Sequence, residues 1–281
     1  MSRPGRRRVL AVDADHPQGT WRPDTLAVEE PLELRVGGAA YTTTMRTPGH
    51  DVELAHGLLV GEGIITGPDD VRTARYCAGS VVDDASGLPR NTYNVLDVAL
   101  APGITVPDER RRHTLTTAAC GVCGTASIDL VRADQPFDLT ADTTTVTSEA
   151  LWAMADTMRE AQTTFDRTGG VHAAGLFDAD GTLLVLREDV GRHNAVDKVL
   201  GWALLQGLRP ARGTLLFVSG RASFELVQKA VMGGVPILAA VSAPSSLAAE
   251  TAGATGLTLV GFVRPGRLNA YTHTHRLGMD P

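Results

Sequence analysis

Cysteine is scarce in this chain: among 281 residues there are three, Cys77, Cys120 and Cys123. Three thiols cannot form the disulfide framework of a small secreted domain, and such sparing use fits a reducing compartment best. No apolar run approaches the roughly 20 residues that a membrane-spanning helix needs. The apolar run after the basic N-terminus, Val9 to Val12, is too short for a secretory signal. We therefore predict a cytoplasmic protein with a frayed N-terminal segment.

Lysine is scarcer still, with Lys198 and Lys229 set against 24 arginines. Both lysines fall in motif-dense segments, and the compact charge of an ammonium group is not reproduced by a guanidinium fork. The net charge of -6 argues against nonspecific nucleic-acid binding. We therefore expect neither nucleic acid nor a membrane among the partners of this chain.

Hydrophobic periodicity predicts the main elements. Helices are expected from His50 to Gly61 and from Glu149 to Thr163, and the turn Asp178 to Gly181 predicts a hairpin. From Gly170 onward, apolar strand segments alternate with helical ones. That alternation favours a mostly parallel sheet with helices on its faces.

The same pattern predicts two domains in an α/β fold. The first third is rich in strand signals, and the stretch from Pro102 to Arg112 has the proline and charge content of a linker. We predict a small β-rich region with one helix over residues 1–110. Residues 111–281 would form the α/β core, which carries a mobile cysteine loop and the cofactor-binding loops.

Cys120 and Cys123 lie three residues apart among glycine and small residues, so few neighbours can shield their sulfurs. A closed zinc site needs four nitrogen or sulfur ligands, and the chain has no second C-x-x-C pair. A thioredoxin-like pair would follow a strand near the N-terminus of its fold. A third hypothesis is a sulfur relay, in which an accessible thiolate takes sulfur from a persulfide donor. Upstream charges at Arg110 to Arg112 would favour that thiolate.

Two histidines are candidate site residues. His172 follows a glycine pair at the start of a predicted strand, although a lone His is more often a core residue. His193 lies in the polar stretch Glu188 to Lys198, at a predicted strand-to-helix junction. Ligands of open α/β sheets bind beyond the carboxyl ends of strands, at such junctions. Helix capping with solvated charges is the alternative.

Polar loops after later strands favour an anionic ligand. Ser219, Gly220 and Arg221 lie between a buried strand and a helix, where unpaired N–H groups and a guanidinium suit a phosphate. Ser242 to Ser246 repeats this arrangement after the next strand. The final strand is followed by a run that can stack on a base and neutralise phosphate: Phe262, Val263, Arg264, Pro265, Gly266 and Arg267. A surface turn at Pro265 and Gly266 is the alternative for that run.

Taken together, these segments resemble the formate dehydrogenase accessory sulfurtransferase (FdhD) family. The resemblance covers Met45 to Gly49, the Cys120 to Gly124 loop, Thr168 to Ala174 and most of the chain beyond Gly170. It implies a cytoplasmic homodimer with a cytidine-deaminase-like three-layer core. It also implies a sulfurtransferase that accepts persulfide sulfur from a cysteine desulfurase and transfers it to the molybdenum cofactor of formate dehydrogenase.

The resemblance also assigns roles to residues. It implies that Cys120 carries the persulfide, that Cys123 assists, and that no metal is bound. The cofactor, molybdenum-bis(molybdopterin guanine dinucleotide), would be a bound substrate that a guanine nucleotide mimics. Its guanines and pyrophosphates would bind Phe262 to Arg267. Further contacts would come from five residues: His172, His193, Ser219, Gly220 and Arg221.

Other functions are weighed against this one. Deamination is excluded, because Ala174 stands where the H-x-E motif needs Glu and Ala119 where the cysteine motif needs Pro. One alternative is a non-catalytic chaperone that binds the cofactor or the apo-dehydrogenase. Another is a zinc protein with Cys120, Cys123 and His172 as ligands.

Overall fold

The computed structural model describes residues 5–77, 80–82, 89–91, 94–107 and 135–278. The strands are β1 (Gly5–Ala11), β2 (Thr20–Leu26), β3 (Glu30–Val36), β4 (Ala39–Arg46), β5 (Val71–Tyr76), β6 (Ser80–Val82), β7 (Pro89–Asn91), β8 (Val95–Leu100), β9 (His172–Asp178), β10 (Leu183–Asp189), β11 (Thr214–Val218), β12 (Ile237–Ala240), β13 (Thr258–Arg264) and β14 (Arg267–Ala270). The helices are α1 (Asp51–Gly61), α2 (Ser148–Ala161), α3 (Thr163–Thr168), α4 (Arg192–Leu205), α5 (Phe224–Gly233) and α6 (Ser246–Thr255). Within these ranges no helix has the length and apolar character needed to cross a bilayer.

A six-stranded sheet in the order β10-β9-β11-β12-β13-β14 forms the core of the C-terminal part. The prediction of a mostly parallel sheet is wrong for neighbouring strands. Only β11–β12 and β12–β13 pair in parallel, whereas β9 opposes both β10 and β11, and β14 opposes β13. The β9–β10 and β13–β14 pairs are antiparallel because the short turns at 179–182 and 265–266 can join only antiparallel strands. Since β10 and β11 both oppose β9, the strands β10 to β13 nevertheless share one direction, and their carboxyl ends meet at one edge.

Helices cover both faces of this sheet. Leu215 and Phe217 of β11 pack in the cluster that includes α2, while Leu216 and Val218 pack with α4, α5 and α6. Because successive side chains of a strand point to opposite faces, one fully buried strand serves both layers. The prediction of an α/β protein is confirmed. The expected likeness to cytidine deaminases stays a prediction.

A second sheet, in the order β4-β3-β8-β5, packs against α1 in the N-terminal part. Its core includes Leu32 and Leu96 from the strands and Leu59 from the helix. Leu204 of α4 joins the same cluster, so the N-terminal part packs directly on the C-terminal part. The predicted boundary between residues 110 and 111 lies outside the described residues, and the division into 1–110 and 111–281 stays a prediction.

The N-terminal segment forms a hairpin, so the expectation of a frayed start is wrong over the described residues 5–26. Strands β1 and β2 pair antiparallel, with Gly5 opposite Leu26 and Ala11 opposite Thr20. The Arg8 guanidinium lies 5.5 Å from the centre of the Trp21 ring, which adds a cation–π contact across the pair. The apolar run of β1 is short by itself, and pairing with β2 is what orders it.

Helices α1 and α4 cross at two glycines with their backbones in contact. A Cβ atom added at Gly57 would lie 1.8 Å from the carbonyl oxygen of Asp197, and one at Gly201 would lie 1.8 Å from that of Glu53. Nearby, the Arg187 side chain pairs with both carboxylate oxygens of Glu53, at 2.6 and 2.8 Å. The crossing therefore has no room for a side chain at either glycine.

We predict that Gly57→Ala or Gly201→Ala destabilises the protein by at least about 1–3 kcal/mol, because an inserted methyl group must push the two helices apart. Urea unfolding followed by circular dichroism would measure the loss. Gly67→Ala is the control: an added Cβ there meets no atom within 4 Å, and its effect should stay within about 0.5 kcal/mol. Wild-type stability of Gly57→Ala would contradict the described crossing.

Candidate functional site

A cavity of about 520 Å³ opens at the edge of the main sheet where β10 to β13 end. Its volume falls in the range of roughly 300–1,000 Å³ that is typical of small-molecule sites. One wall comes from strand ends and adjoining loops: Gly169, Gly170, Val171, His172, Val190, Ser219, Val241, Val263, Arg264 and Pro265. The other wall comes from α2, α3 and their junction: Ala155, Met158, Arg159, Gln162 and Phe165.

The cavity brings together three sequence segments that were predicted separately to bind the cofactor. The predicted residues that line it are His172, Ser219, Val263, Arg264 and Pro265. The predicted residues outside its described lining are His193, Gly220, Arg221, Phe262, Gly266 and Arg267. Cys120 and Cys123 lie outside the described residues, and their roles stay predictions.

Ser219 and Gly220 fix the loop after β11 against the start of β9. The Ser219 hydroxyl accepts a hydrogen bond from the Ala173 amide at 2.9 Å, and the Ser219 amide donates to the Ala173 carbonyl at 3.0 Å. A Cβ added at Gly220 would lie 3.5 Å from His172 Nδ1. The backbone of this loop therefore passes close to the imidazole, which holds the ring at the cavity wall.

The environment of His172 favours its neutral form. Burial lowers the pKa of His172 below its usual value of 6.5, and the charges of Arg192 and His193 lower it further. The carboxylate of Asp189 raises that pKa by a smaller amount. Near pH 7 the ring is therefore uncharged, so it can both donate and accept a hydrogen bond.

Arg192, the first residue of α4, is a candidate site residue that sequence reasoning missed. Its Nε is buried and has no hydrogen-bond partner among the described residues. Its charge acts on His172, which lines the cavity. Arg192 is outside the described lining of the cavity and its Nε is occluded, so it can act on an anionic ligand through its charge and not through that atom. The polar stretch Glu188 to Lys198 carried the signal, but the sequence did not rank Arg192 above its neighbours.

Most other polar groups of that stretch have internal partners. Asp189 is fully buried, and its Oδ2 accepts hydrogen bonds from Lys198 Nζ at 2.6 Å and from the Thr47 amide at 3.1 Å. Its Oδ1 accepts from the Gly191 amide and from Asn194 Nδ2, at 2.8 and 3.1 Å. Lys198 Nζ also donates to the Thr47 carbonyl at 2.8 Å. This network ties the end of β10 and helix α4 to the loop that follows β4.

Two further carboxylates of the stretch from Glu188 to Lys198 connect secondary-structure elements through hydrogen bonds and an ion pair. Glu188 accepts hydrogen bonds from the Thr164 and Phe165 amides, both at 2.8 Å, and so holds the first turn of α3. Asp197 pairs with Lys229 at 2.6 Å and links α4 to α5. Both lysines of the chain are thus paired with buried aspartates. A ligand-binding role for the stretch does not extend to these groups.

His193 points toward the start of α5. Its Nε2 lies 2.9 Å from Glu225 Oε2 and 3.3 Å from Ser223 Oγ. The loop that begins at Ser219 also pairs with the loop after β12, because the Ala222 amide donates to the Ala243 carbonyl at 3.2 Å. The two loops that were expected to bind an anion therefore form a backbone hydrogen bond with each other, which leaves fewer of their polar groups for a ligand.

The backbone of the segment Phe262 to Arg267 begins with a residue in the left-handed conformation. Phe262 has φ 53°, an uncommon conformation for an aromatic residue, and the register of β13 with β14 shifts between Gly261 and Arg264. Phe262 is 37% exposed, while the next residue, Val263, is 1% exposed. The bulge therefore directs the aromatic ring outward, and the predicted turn at 265–266 joins β13 to β14.

In the part of the chain that the structure describes, no three His, Cys, Asp or Glu residues are grouped as a metal site. The zinc alternative depends on Cys120 and Cys123, which lie outside that part. The described groups at the cavity are instead a neutral imidazole, guanidinium groups, a hydroxyl and an amide. Such a set suits a ligand that carries both a ring and a negative charge.

The fold and the cavity define an α/β protein with a small-molecule site at the carboxyl edge of its sheet. Over residues 27–278 the sequence matches the model of the FdhD/NarQ family. It is 58% identical over 274 residues to the sulfur carrier protein FdhD of Mycolicibacterium paratuberculosis, covering 97% of this chain and 98% of that protein. Its identity to the sulfur carrier protein FdhD of Streptomyces coelicolor is 52% over 277 residues, covering 98% and 95%. The chain belongs to the FdhD/NarQ family.

The fold is also similar to a crystal structure of a protein from Desulfotalea psychrophila, described as a formate dehydrogenase accessory protein. The TM-score is 0.74, and the match covers 98% of this chain and 99% of that one. The two sequences are 24% identical. At this identity the likeness shows the shared fold alone.

We predict that Lys198→Met destabilises the protein by about 3–5 kcal/mol, because it leaves the Asp189 carboxylate buried without its cation. Chemical denaturation would measure the change. Arg35→Ala is the control, since it removes an ion pair with Glu33 of 2.7 Å that is partly open to solvent, and its cost should be far smaller. Equal losses in the two variants would show that the buried network does not hold the elements together.

Proposed function

We propose that this protein is a sulfurtransferase that accepts persulfide sulfur from a cysteine desulfurase. It then transfers that sulfur to the molybdenum cofactor that formate dehydrogenase requires. The names of the full-length relatives, sulfur carrier protein FdhD, support a sulfur-carrier role. The structural observation that supports the proposal best is the cavity, which gathers three predicted binding segments at one edge of the sheet. The working form would be a cytoplasmic homodimer.

The sulfur steps use thiol chemistry. The Cys120 thiolate attacks the terminal sulfur of the donor persulfide, a new S–S bond forms at Cys120, and the donor cysteine leaves as a thiolate. The terminal sulfur then leaves for molybdenum at the oxidation level of sulfide: the S–S bond that held it breaks, and the two electrons come from Cys120 and Cys123 as they form a disulfide. Cys123 assists in one of two ways: it accepts the terminal sulfur in turn, or it attacks Cys120 and forms a disulfide while sulfide is released.

The cavity suits the nucleotide part of such a cofactor, which is a bound substrate. Apolar side chains of Met158, Phe165 and Val263 offer walls for a flat ring. Arg264 on the lining and Arg192 beside His172 offer positive charge for a phosphate. The exposed ring of Phe262, which is outside the described lining of the cavity, offers a further stacking surface. A guanine nucleotide would therefore serve as a probe of this site.

We predict that the carrier cysteine is Cys120. After incubation with a cysteine desulfurase and cysteine, mass spectrometry should find one added sulfur on the peptide that contains Cys120 and Cys123. Cys120→Ser should abolish this addition, and Cys77→Ser, which changes the third cysteine, should leave it intact. Undiminished uptake by Cys120→Ser would contradict the assignment. Formate dehydrogenase activity retained in cells with Cys120→Ser would favour the chaperone alternative.

We predict that GDP binding takes up a proton at His172. The pKa of the ring is lowered in the free protein, and a bound phosphate raises it, so affinity increases as pH falls from 8 to 6. Calorimetry on wild type and His172→Gln would separate this effect from titration of GDP itself. Identical pH profiles of the two proteins would contradict it.

A further inference from the structure

The hairpin of β1 and β2 carries much of the apolar surface that is exposed in this structure. Among the described residues, four of the eleven exposed large apolar side chains lie between residues 5 and 26, and the two most exposed are Val12 at 62% and Trp21 at 57%. No residue of either strand is buried. The hairpin meets the rest of the chain where β2 contacts α3. A two-stranded hairpin by itself is marginally stable in water, so a partner that covers this one would stabilise it.

One face of the hairpin combines arginine with apolar side chains. Residues that pair directly across two antiparallel strands point to the same face, and here Leu10 pairs with Trp21 and Arg8 with Pro23. The Arg8 guanidinium also lies over the Trp21 ring, as expected for two side chains on one face. Arg6 precedes Arg8 by two residues and therefore points to the same side. We call this surface the arginine–tryptophan face; its members, all exposed, are Arg6, Arg8, Leu10, Trp21 and Pro23.

The hairpin and the rest of the chain carry opposite net charges. Residues 1–26 include five Arg and three Asp, which gives a net charge of +2; the whole chain carries -6, so the remaining residues carry -8. Tryptophan and arginine are enriched in protein interfaces, where they contribute much of the binding energy. An acidic protein surface is therefore the complement of the arginine–tryptophan face.

This chain itself offers such a surface on α2. Glu149, Asp156 and Glu160 are exposed and recur at i, i+7 and i+11, which places them on one side of the helix with the exposed Ala153 between them. The buried residues of α2 lie on the other side. None of the three carboxylates forms an ion pair with a described residue, so the arginines of the same chain's hairpin do not reach them. We call these three carboxylates the α2 acidic stripe.

The spacing of the charges on the two surfaces matches. Asp156 and Glu160 are separated by about 6 Å along the helix axis. Arg6 and Arg8 are separated by about 6.8 Å along their strand. Arg159, an exposed cation on the same helix, is already in an ion pair of 2.6 Å with a carboxylate of α3. Two arginines of the hairpin can therefore face two carboxylates of the stripe at the same time.

We propose that the arginine–tryptophan face of one copy of this chain docks on the α2 acidic stripe of a second copy, and that a twofold axis repeats the contact. Direct contact between the two hairpins is disfavoured, because a twofold axis would place like arginines opposite each other. Reciprocal docking instead covers both surfaces of both copies and closes the assembly at two chains. This inference rests on the homodimer of the proposed function and names the surfaces that form it. It does not depend on the sulfur chemistry.

Charge reversal in the full chain tests the proposal, with the dissociation constant of the dimer measured by analytical ultracentrifugation. Arg6→Glu with Arg8→Glu places acid opposite acid, and Asp156→Arg with Glu160→Arg places base opposite base. We expect each double variant to raise the dissociation constant at least about 30-fold. An equimolar mixture of the two double variants should dimerise as wild type does, because each hairpin then meets a stripe of opposite charge.

Arg7→Glu with Arg22→Glu is the matched control, since it makes the same change of charge on the opposite face of the same hairpin. It should raise the dissociation constant far less than the reversal at Arg6 and Arg8. Trp21→Ala changes no charge and removes the apolar anchor, so it should raise the constant at least about 30-fold.

A mixture of the two double variants that stays monomeric would overturn the inference, and so would double variants that dimerise like wild type. Equal weakening by the control pair would show that the net charge of the hairpin acts and not one face, which also contradicts it. A monomeric wild type would overturn it together with the homodimer, and binding of that monomer to phosphatidylglycerol vesicles would assign the face to an anionic membrane. Sulfur uptake at Cys120 tests the sulfurtransferase separately, so the two failures are distinguishable.

Discussion

Asp189 and Lys198 form an ion pair of 2.6 Å in which neither side chain is more than 1% exposed. Two charges so deeply buried are tolerated only when hydrogen bonds satisfy the rest of their polar atoms. Here the amides of Thr47 and Gly191 and the side chain of Asn194 complete the set. Since these residues come from three elements, the pair imposes one geometry on the N-terminal part, helix α4 and the edge of the main sheet.

The candidate site is built outward from this pair. Val190, which lines the cavity, follows Asp189, and Arg192 lies two residues further on. Glu188, which precedes Asp189, accepts hydrogen bonds from the first turn of α3. That turn carries Phe165 into the opposite wall. Burial of one charge pair thus positions groups on both sides of the cavity. The same network explains why so many polar residues occur in one short stretch without all of them facing a ligand.

Local signals predicted individual elements well. The helix expected from His50 to Gly61 spans Asp51–Gly61, because its apolar face and flanking turn are encoded within one segment. The helix expected from Glu149 to Thr163 instead ends at Ala161, and Gln162 begins a change of direction into α3. Strand pairing was predicted less well. Whether β9 opposes β11 depends on a crossover through α4, which no local pattern reports.

The sequence by itself determined the family, the scarce and closely spaced thiols Cys120 and Cys123, and the segments that meet at the cavity. Those features depend on residue type and spacing, which are legible along the chain. Tertiary structure alone decided which polar groups form hydrogen bonds within the protein and which have no partner there. Lys198 and Arg192 lie six residues apart, yet Lys198 Nζ donates two hydrogen bonds, whereas Arg192 Nε has no partner among the described residues. Burial and hydrogen-bond satisfaction are set by contacts between residues far apart in sequence, so only the folded chain shows them.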